Sequence, residues 1–227
     1  MAKQILSKTK LVVYLECSYL KGFFFSFSSI KTFKYYGYIY NYMVNNITTL
    51  SVLEPLHFRE EWTHLAEISR EIKMPHPTAR IYLNDFEKEG VVIKQIKGRL
   101  TLYKLNYSNP LILDYIILVE KNRLIKKCSK EILLKEIVSF LHESDNPIII
   151  FGSASINLKN ANDIDLLVIG EVEKSKFKEF EKKHDIKFHL INLKKLEEIS
   201  PSLKEEIKKK HLIVQDSEKI IKWILKN

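Results

Sequence analysis

Residues 147–153 read PIIIFGS and residues 163–169 read DIDLLVI, and these two stretches decide the fold of the second half of the chain. Each contains a short, wholly apolar run, which is the pattern of a strand buried on both faces. Because side chains i and i+2 of a strand share a face, Asp163 and Asp165 are expected to project side by side. The sequence therefore predicts a buried sheet with a pair of carboxylates at the start of one strand.

The two predicted strands place a phosphate-binding turn beside this carboxylate pair. Gly152 has no side chain at the point where a phosphate has to approach the backbone. Ser153 then begins a turn whose hydroxyl and backbone N–H groups can hold phosphate oxygens. Two neighbouring carboxylates favour a shared cation, and hard oxygen ligands suit Mg²⁺. We therefore expect Gly152 and Ser153 to bind a nucleotide, and Asp163 and Asp165 to bind Mg²⁺, for attack on a phosphorus atom.

The order of these features resembles the polymerase beta-like nucleotidyltransferase superfamily in its minimal form. The motifs are an apolar strand ending in Gly152-Ser153, a spacer, and Asp163-Ile-Asp165, and the resemblance covers residues 144–220. It implies a small α/β domain with a mixed sheet that binds a nucleoside triphosphate such as ATP together with Mg²⁺. It also implies that Ser153 contacts the phosphates and that Asp163 and Asp165 are catalytic metal ligands.

One position departs from the pattern of this superfamily. Catalytic members usually carry a third carboxylate on a later strand, and the matching strand here spans residues 186–192. His189 aligns with this carboxylate, while Asp185, just before the strand, is a second candidate. The nucleotide site survives the departure, whereas turnover depends on which side chain fills the third position.

Residues 46–110 read as three helices followed by a hairpin, which is the pattern of a winged helix-turn-helix domain. Apolar residues recur at helical spacing in residues 63–73 and 77–89, and Gly90 is placed to end the second of these helices. Two strand-like runs follow, joined by a basic tip at residues 97–99. The pattern resembles the winged-helix family of transcription regulators.

This second resemblance implies an interface with duplex DNA. Thr78, Arg80 and Asn84 would lie on the outer face of the recognition-type helix, and Lys97 and Arg99 would lie on the wing. Arginine and lysine suit phosphate contacts, while Arg80 or Asn84 can reach a base edge. The alternative is that this surface docks on a protein and contacts no DNA.

The remaining segments are assigned from weaker patterns. Residues 1–45 show little periodicity, and we interpret them as an N-terminal extension outside the folded core. A membrane or partner-binding segment is the alternative, but Glu16 and Lys21 interrupt the apolar run, so no membrane association is expected. Residues 111–143 read as two amphipathic helices that connect the two domains or pair two chains in a homodimer. Residues 144–227 then form the nucleotidyltransferase-like domain.

The composition fits a folded, basic protein. The 227 residues are 45% hydrophobic, and their formal charge of +9 indicates either polyanionic partners or a lysine-rich surface. Two cysteines far apart, without metal-type spacing, favour a cytoplasmic location. Four histidines share no spacing, and we interpret them as ordinary surface or partly buried residues and expect no zinc site: His57, His64, His76 and His211.

Together these patterns predict an α+β chain, with a winged helix-turn-helix domain followed by a small nucleotidyltransferase-fold domain. The leading functional hypothesis is Mg²⁺-dependent transfer of a nucleotidyl group from a nucleoside triphosphate to a hydroxyl. The minimal family resembles the antitoxin partners of HEPN-type toxins, so a protein acceptor is a candidate. The alternative is a DNA-binding transcriptional regulator that keeps the nucleotidyltransferase fold as a nucleotide sensor or an interaction platform.

Overall fold

The computed structural model describes residues 47–59, 61–158, 161 and 163–226. The predicted N-terminal extension at residues 1–45 lies outside the described residues. No helix in the described part has the length and apolar character needed to span a bilayer. In chain order the elements are α1 (Ile47–Leu50), β1 (Thr63–His64), α2 (Leu65–Glu71), α3 (His76–Lys88), β2 (Val92–Lys97), β3 (Leu100–Leu105), α4 (Ile112–Cys128), α5 (Ile132–Leu141), β4 (Ile148–Phe151), β5 (Ile164–Ile169), α6 (Lys174–His184), β6 (Phe188–Leu193), α7 (Pro201–Lys209), β7 (His211–Gln215) and α8 (Ser217–Leu225), with 3-10 turns at Ser51–Leu53 and Leu196–Glu198.

The first sheet is small and antiparallel, with its three strands in the order β1-β3-β2. Strands β2 and β3 form the hairpin expected from the sequence. Helix α3 precedes this hairpin and buries Ala79, Leu83 and Phe86, which recur at helical spacing on one face. Gly90 follows the helix with a φ of 71°, the left-handed conformation that a helix-ending glycine supplies.

The second sheet has the strand order β6-β5-β4-β7 and is mixed, as predicted for the α+β fold. Strands β5 and β6 are parallel, whereas β4 pairs antiparallel with both β5 and β7. One row across the sheet consists of Leu190, Leu166, Ile150 and Leu212, and it belongs to a core that includes side chains of α5 and α6. Burial of these aliphatic side chains fixes which face of each strand points inward.

The opposite face of this sheet carries a second row at the end where β4 finishes and β5 begins. Its members are paired across the strands: His189 with Asp165, Asp165 with Phe151, and Phe151 with His211. Residues directly opposite each other on neighbouring strands project to the same face. The fold therefore places Asp165 and His189 side by side. His211 lies two strands away from Asp165 in the same row, at about 10 Å.

Candidate nucleotide and metal site

Gly152 ends β4 against the carboxylate of Asp165. Its φ is 66°, and a Cβ at this position would lie 2.6 Å from Asp165 Oδ2. Any side chain here would therefore push the carboxylate away, in addition to straining the backbone. The Gly152 N–H donates to the carbonyl of Lys210 at 3.2 Å, which holds the loop to the start of β7. The Asp165 carboxylate therefore packs directly on the Gly152 backbone, where any side chain would displace it.

Ser153 begins a turn that is closed by its own hydrogen bonds. The N–H groups of Ile156 and Asn157 donate to the Ser153 carbonyl at 3.0 and 3.1 Å, and the buried Ser155 hydroxyl donates to the Gly152 carbonyl at 2.8 Å. Ser153 itself is exposed, and its hydroxyl and backbone N–H make no hydrogen bond within the described residues. Both groups are therefore available to an anionic ligand.

Asp163 and Asp165 flank the first residue of β5. Asp163 is exposed just before the strand, and the Asp165 side chain is 27% exposed within it. The Nδ1 of His189 donates to Asp165 Oδ1 at 2.9 Å, while Asp165 Oδ2 faces the Gly152 backbone. An exposed carboxylate and a partly exposed one, two residues apart, fit Mg²⁺, the ion that the superfamily resemblance implies.

His189 is the residue predicted to align with the third carboxylate of catalytic members of the superfamily. It pairs with Asp165 in the parallel register of β5 and β6, and its side chain is 68% exposed. A carboxylate only accepts hydrogen bonds, so Nδ1 of this ring carries the proton and Nε2 is left for other partners. Asp185, the second candidate, instead ends α6 with a φ of 51° and makes no hydrogen bond to the site within the described residues.

Lys127 approaches the same loop from the end of α4, and no sequence motif pointed to it. Its Nζ donates to the carbonyl of Ile156 at 2.8 Å. Burial lowers the pKa of this ammonium group, with the nearby Arg123 acting in the same direction. Lys127 therefore brings a partly buried cationic side chain close to the turn that Ser153 begins.

The predicted DNA-binding residues lie on α3 and on the β2–β3 hairpin. Thr78 is half-buried, and the side-chain oxygen of Asn84 accepts a hydrogen bond from Lys94 Nζ at 3.1 Å, so Asn84 is partly engaged within the fold. The other three are exposed and take part in no ion pair among the described residues: Arg80, Lys97 and Arg99.

The interpretation of His57 and His211 as ordinary scattered histidines is wrong. Both rings contact Glu120, a fully buried residue of α4, with Nε2 of His57 2.7 Å and Nε2 of His211 3.4 Å from Glu120 Oε1. Arg123 Nη1 lies 2.8 Å from the same oxygen. The fold thus gathers residues that are far apart in the sequence, and His57, Glu120 and His211 could hold a metal ion. The signal in the sequence was Glu120 itself, which lies between Ile116 and Leu124 on the apolar stripe of α4.

The charges of this buried cluster are set by its surroundings. Burial disfavours ionisation of Glu120, but His211 and the Arg123 guanidinium outweigh it and hold the pKa of this carboxyl well below its usual range. Burial lowers the pKa of His211, although Glu120 opposes the shift. Arg123 is the permanent positive charge that keeps Glu120 ionised.

Residues 131–223 match the family model of the nucleotidyltransferase domain. The matched segment contains the Gly152 loop, Asp163, Asp165 and His189. This part of the chain thus has the sequence features of a nucleotidyltransferase domain.

Comparison with other proteins adds little. No curated protein gives a significant match. Among solved structures, the chain is similar to TrmBL2, an archaeal chromatin protein whose structure is described as showing a novel mode of DNA binding. The two share 20% identity over 66% of this chain and 65% of that chain, with a TM-score of 0.20. A TM-score this low supports no conclusion about fold or function.

Proposed function

We propose that the domain at residues 144–227 transfers a nucleotidyl group from a nucleoside triphosphate to a hydroxyl acceptor. The observation that carries the proposal is the packing of the Asp165 carboxylate on the Gly152 backbone, directly before the turn that Ser153 begins. A turn that can bind phosphate and carboxylates that can bind a metal ion are the parts that phosphoryl chemistry requires. The match to the nucleotidyltransferase domain family supports the same conclusion.

Each side chain then has a distinct role. Ser153 and the backbone of its turn bind the phosphates, and Asp163 and Asp165 hold Mg²⁺. When bound, Mg²⁺ neutralises and orients the phosphate oxygens. The hydrogen bond from His189 fixes the Asp165 carboxylate so that Oδ2 faces the loop. The same ring stands where the superfamily resemblance places a third carboxylate, and a histidine there supplies no negative charge.

The reaction type is tested with a triphosphate labelled at different phosphorus atoms. The protein is incubated with Mg²⁺ and cell lysate, with ATP labelled either at the α-phosphate or at the γ-phosphate. We expect label from the α-phosphate to enter a macromolecule, a protein such as a HEPN-type partner being the first candidate. Transfer of the γ-label instead would identify a kinase, and no transfer of either label would reject the enzyme hypothesis.

We propose a second function, binding of duplex DNA, for residues 46–110 taken as a winged helix-turn-helix domain. The specific observation is that Arg80, Lys97 and Arg99 are exposed without ion-pair partners among the described residues. Helix α3 and the hairpin tip carry these cations on adjacent elements. In this account the chain is a regulator in which residues 111–143 connect the DNA-binding domain to a nucleotide-binding domain.

Replacing Arg80, Lys97 and Arg99 together with alanine should flatten the salt dependence of DNA binding. Each lost phosphate contact reduces the slope of log K against log salt by about 0.9, so a decrease of about 2–3 is expected. Fluorescence anisotropy with duplex DNA at several salt concentrations measures this slope.

A matched control removes the same charge from another part of the surface. Lys174, Lys182 and Lys183 on α6 are exposed, and their replacement with alanine should leave the salt slope nearly unchanged. Equal effects of the two triple variants would show that the hairpin is no specific interface. If the wild-type chain binds no DNA even at low salt, docking on a protein takes the place of this proposal.

A further inference from the structure

The buried cluster of His57, Glu120, Arg123 and His211 has two histidines with defined tautomers. Nδ1 of His57 hydrogen-bonds the carbonyl of Glu54, and Nδ1 of His211 hydrogen-bonds the carbonyl of Ile207 at 2.6 Å. A carbonyl oxygen only accepts, so both Nδ1 atoms carry a hydrogen. Each Nε2 presents a lone pair when its ring is neutral, and both Nε2 atoms point at Glu120 Oε1.

This cluster contains more acceptors than donors. Besides the two Nε2 atoms it holds both oxygens of Glu120, and Oε2 is buried without a hydrogen-bond partner among the described residues. The donor is Arg123 Nη1, which lies 2.8 Å from Glu120 Oε1, 3.2 Å from His57 Nε2 and 3.4 Å from His211 Nε2. One nitrogen with two hydrogens cannot donate to all four acceptors. The other terminal nitrogen, Nη2, already donates to the His211 carbonyl. Besides Arg123, the cluster therefore has room for a second positive centre, either a proton or a metal ion.

The ligand atoms fit a transition metal better than a hard ion. Two imidazoles and one carboxylate are a donor set that Zn²⁺ accepts, with one coordination position left open. Tetrahedral Zn²⁺ places its ligand atoms about 3.3 Å apart, and the two separations measured from Glu120 Oε1 are 2.7 and 3.4 Å. Histidine ligands commonly donate their other ring N–H to a backbone carbonyl, as both rings do here.

A cavity of about 650 Å³ opens directly onto the cluster. His57, Arg123 and His211 line it, together with charged side chains such as Arg59 and Lys209. The cavity gives an ion a route to the histidines. The Arg123 side chain covers the three ligand atoms, and it can rotate into the same cavity.

We propose that His57, Glu120 and His211 form a site for Zn²⁺ or a similar transition-metal ion, which Arg123 closes when no ion is bound. The site is distinct from the Mg²⁺ site, although both lie on one face of the sheet. His211 pairs with Phe151, and Lys210 accepts the hydrogen bond from Gly152, so a bound ion ties the chain around His57 to the base of the nucleotide loop.

The test uses the full chain, stripped of metal with a chelator and titrated with Co²⁺. Visible absorption of tetrahedral Co²⁺ reports binding independently of any enzymatic activity. We expect one Co²⁺ per chain, displaced by Zn²⁺. His57→Gln and His211→Gln should each weaken Co²⁺ binding by at least about tenfold, since even changes outside the ligand set cost about 10–100-fold. Arg123→Gln should tighten binding, because it removes the competing positive charge.

Two controls separate this site from general effects. His64→Gln removes a histidine outside the cluster, and Asp165→Asn alters the proposed Mg²⁺ site, so both should leave Co²⁺ binding unchanged. Circular dichroism checks that each variant is folded. His57→Gln is expected to disturb the fold least, because His57 lies at the edge of the cluster. The proposal is overturned if neither the wild type nor Arg123→Gln binds Co²⁺, in which case a proton supplies the second positive centre. Equal binding by wild type and His57→Gln overturns it as well.

Discussion

Replacing Asp165 with asparagine should abolish Mg²⁺-dependent triphosphate binding while leaving the fold intact. Asparagine keeps the shape of the side chain and can still meet His189 and the Gly152 backbone, but it removes the negative charge. Mg²⁺ is held in proteins through one or two carboxylates, so loss of one of the pair is severe. Since changes beside a metal ligand already cost about 10–100-fold in affinity, loss of a ligand should cost at least as much.

Titration calorimetry with a non-hydrolysable triphosphate, with and without Mg²⁺, measures this effect. Asp145→Asn is the matched control, because Asp145 is an exposed carboxylate outside the site whose loss changes the net charge equally. We expect Asp145→Asn to bind like the wild type and Asp163→Asn to behave like Asp165→Asn. Unchanged affinity in Asp165→Asn would show that the nucleotide, if it binds, is held elsewhere.

The second large effect is expected from replacing His189 with aspartate. His189 contacts Asp165 at 2.9 Å, at the position where catalytic relatives carry a third carboxylate. A neutral imidazole adds no negative charge and suits Mg²⁺ poorly, because this ion prefers oxygen ligands. We therefore expect the wild-type chain to bind Mg²⁺-triphosphate but to transfer the nucleotide slowly.

His189→Asp should raise the rate of transfer by about 10²–10⁴-fold, the typical contribution of a positioned acid or base. Triphosphate affinity should change little, because Asp163 and Asp165 are retained. Release of pyrophosphate under single-turnover conditions measures the rate. His189→Asn is the control: it resembles aspartate in size but carries no charge, so it should give no increase.

A different outcome would revise the alignment of β6. If the wild type is fast and His189→Asp is slower, His189 itself serves as the base through its Nε2. A rate that falls on mutation of Asp185 instead would assign the third carboxylate to the turn after α6. Either result changes the residue that takes the proton and leaves the phosphate-binding turn as described.

The strands of the second sheet could be predicted because apolar runs bounded by turn residues have few alternatives. The side-by-side placement of Asp165 and His189 is harder, since it depends on the register between β5 and β6. Helix α1 is short: it ends at Leu50 and gives way to a 3-10 turn at Ser51–Leu53. Pro55 has no backbone N–H to donate to the Ser51 carbonyl, so a regular α-helical pattern is interrupted at that position.

The buried cluster could not be predicted from spacing. His57, Glu120 and His211 come from three separate elements, and only tertiary packing brings them within 4.8 Å of one another. A charged residue on an apolar helical face implies a buried partner, but the sequence does not say which one. The contact between Lys127 and Ile156 escaped prediction for the same reason, because it depends on how α4 meets the nucleotide loop.

The central claim is that Gly152, Ser153, Asp163 and Asp165 hold a nucleotide and Mg²⁺. A crystal structure of the chain with Mg²⁺ and a non-hydrolysable triphosphate tests it most directly. We expect phosphate oxygens against the Gly152 backbone and the Ser153 hydroxyl, with the ion between them and the carboxylates of Asp163 and Asp165. A nucleotide found in the cavity lined by Arg59, Arg123 and Lys209, with no ion on Asp165, would contradict the account.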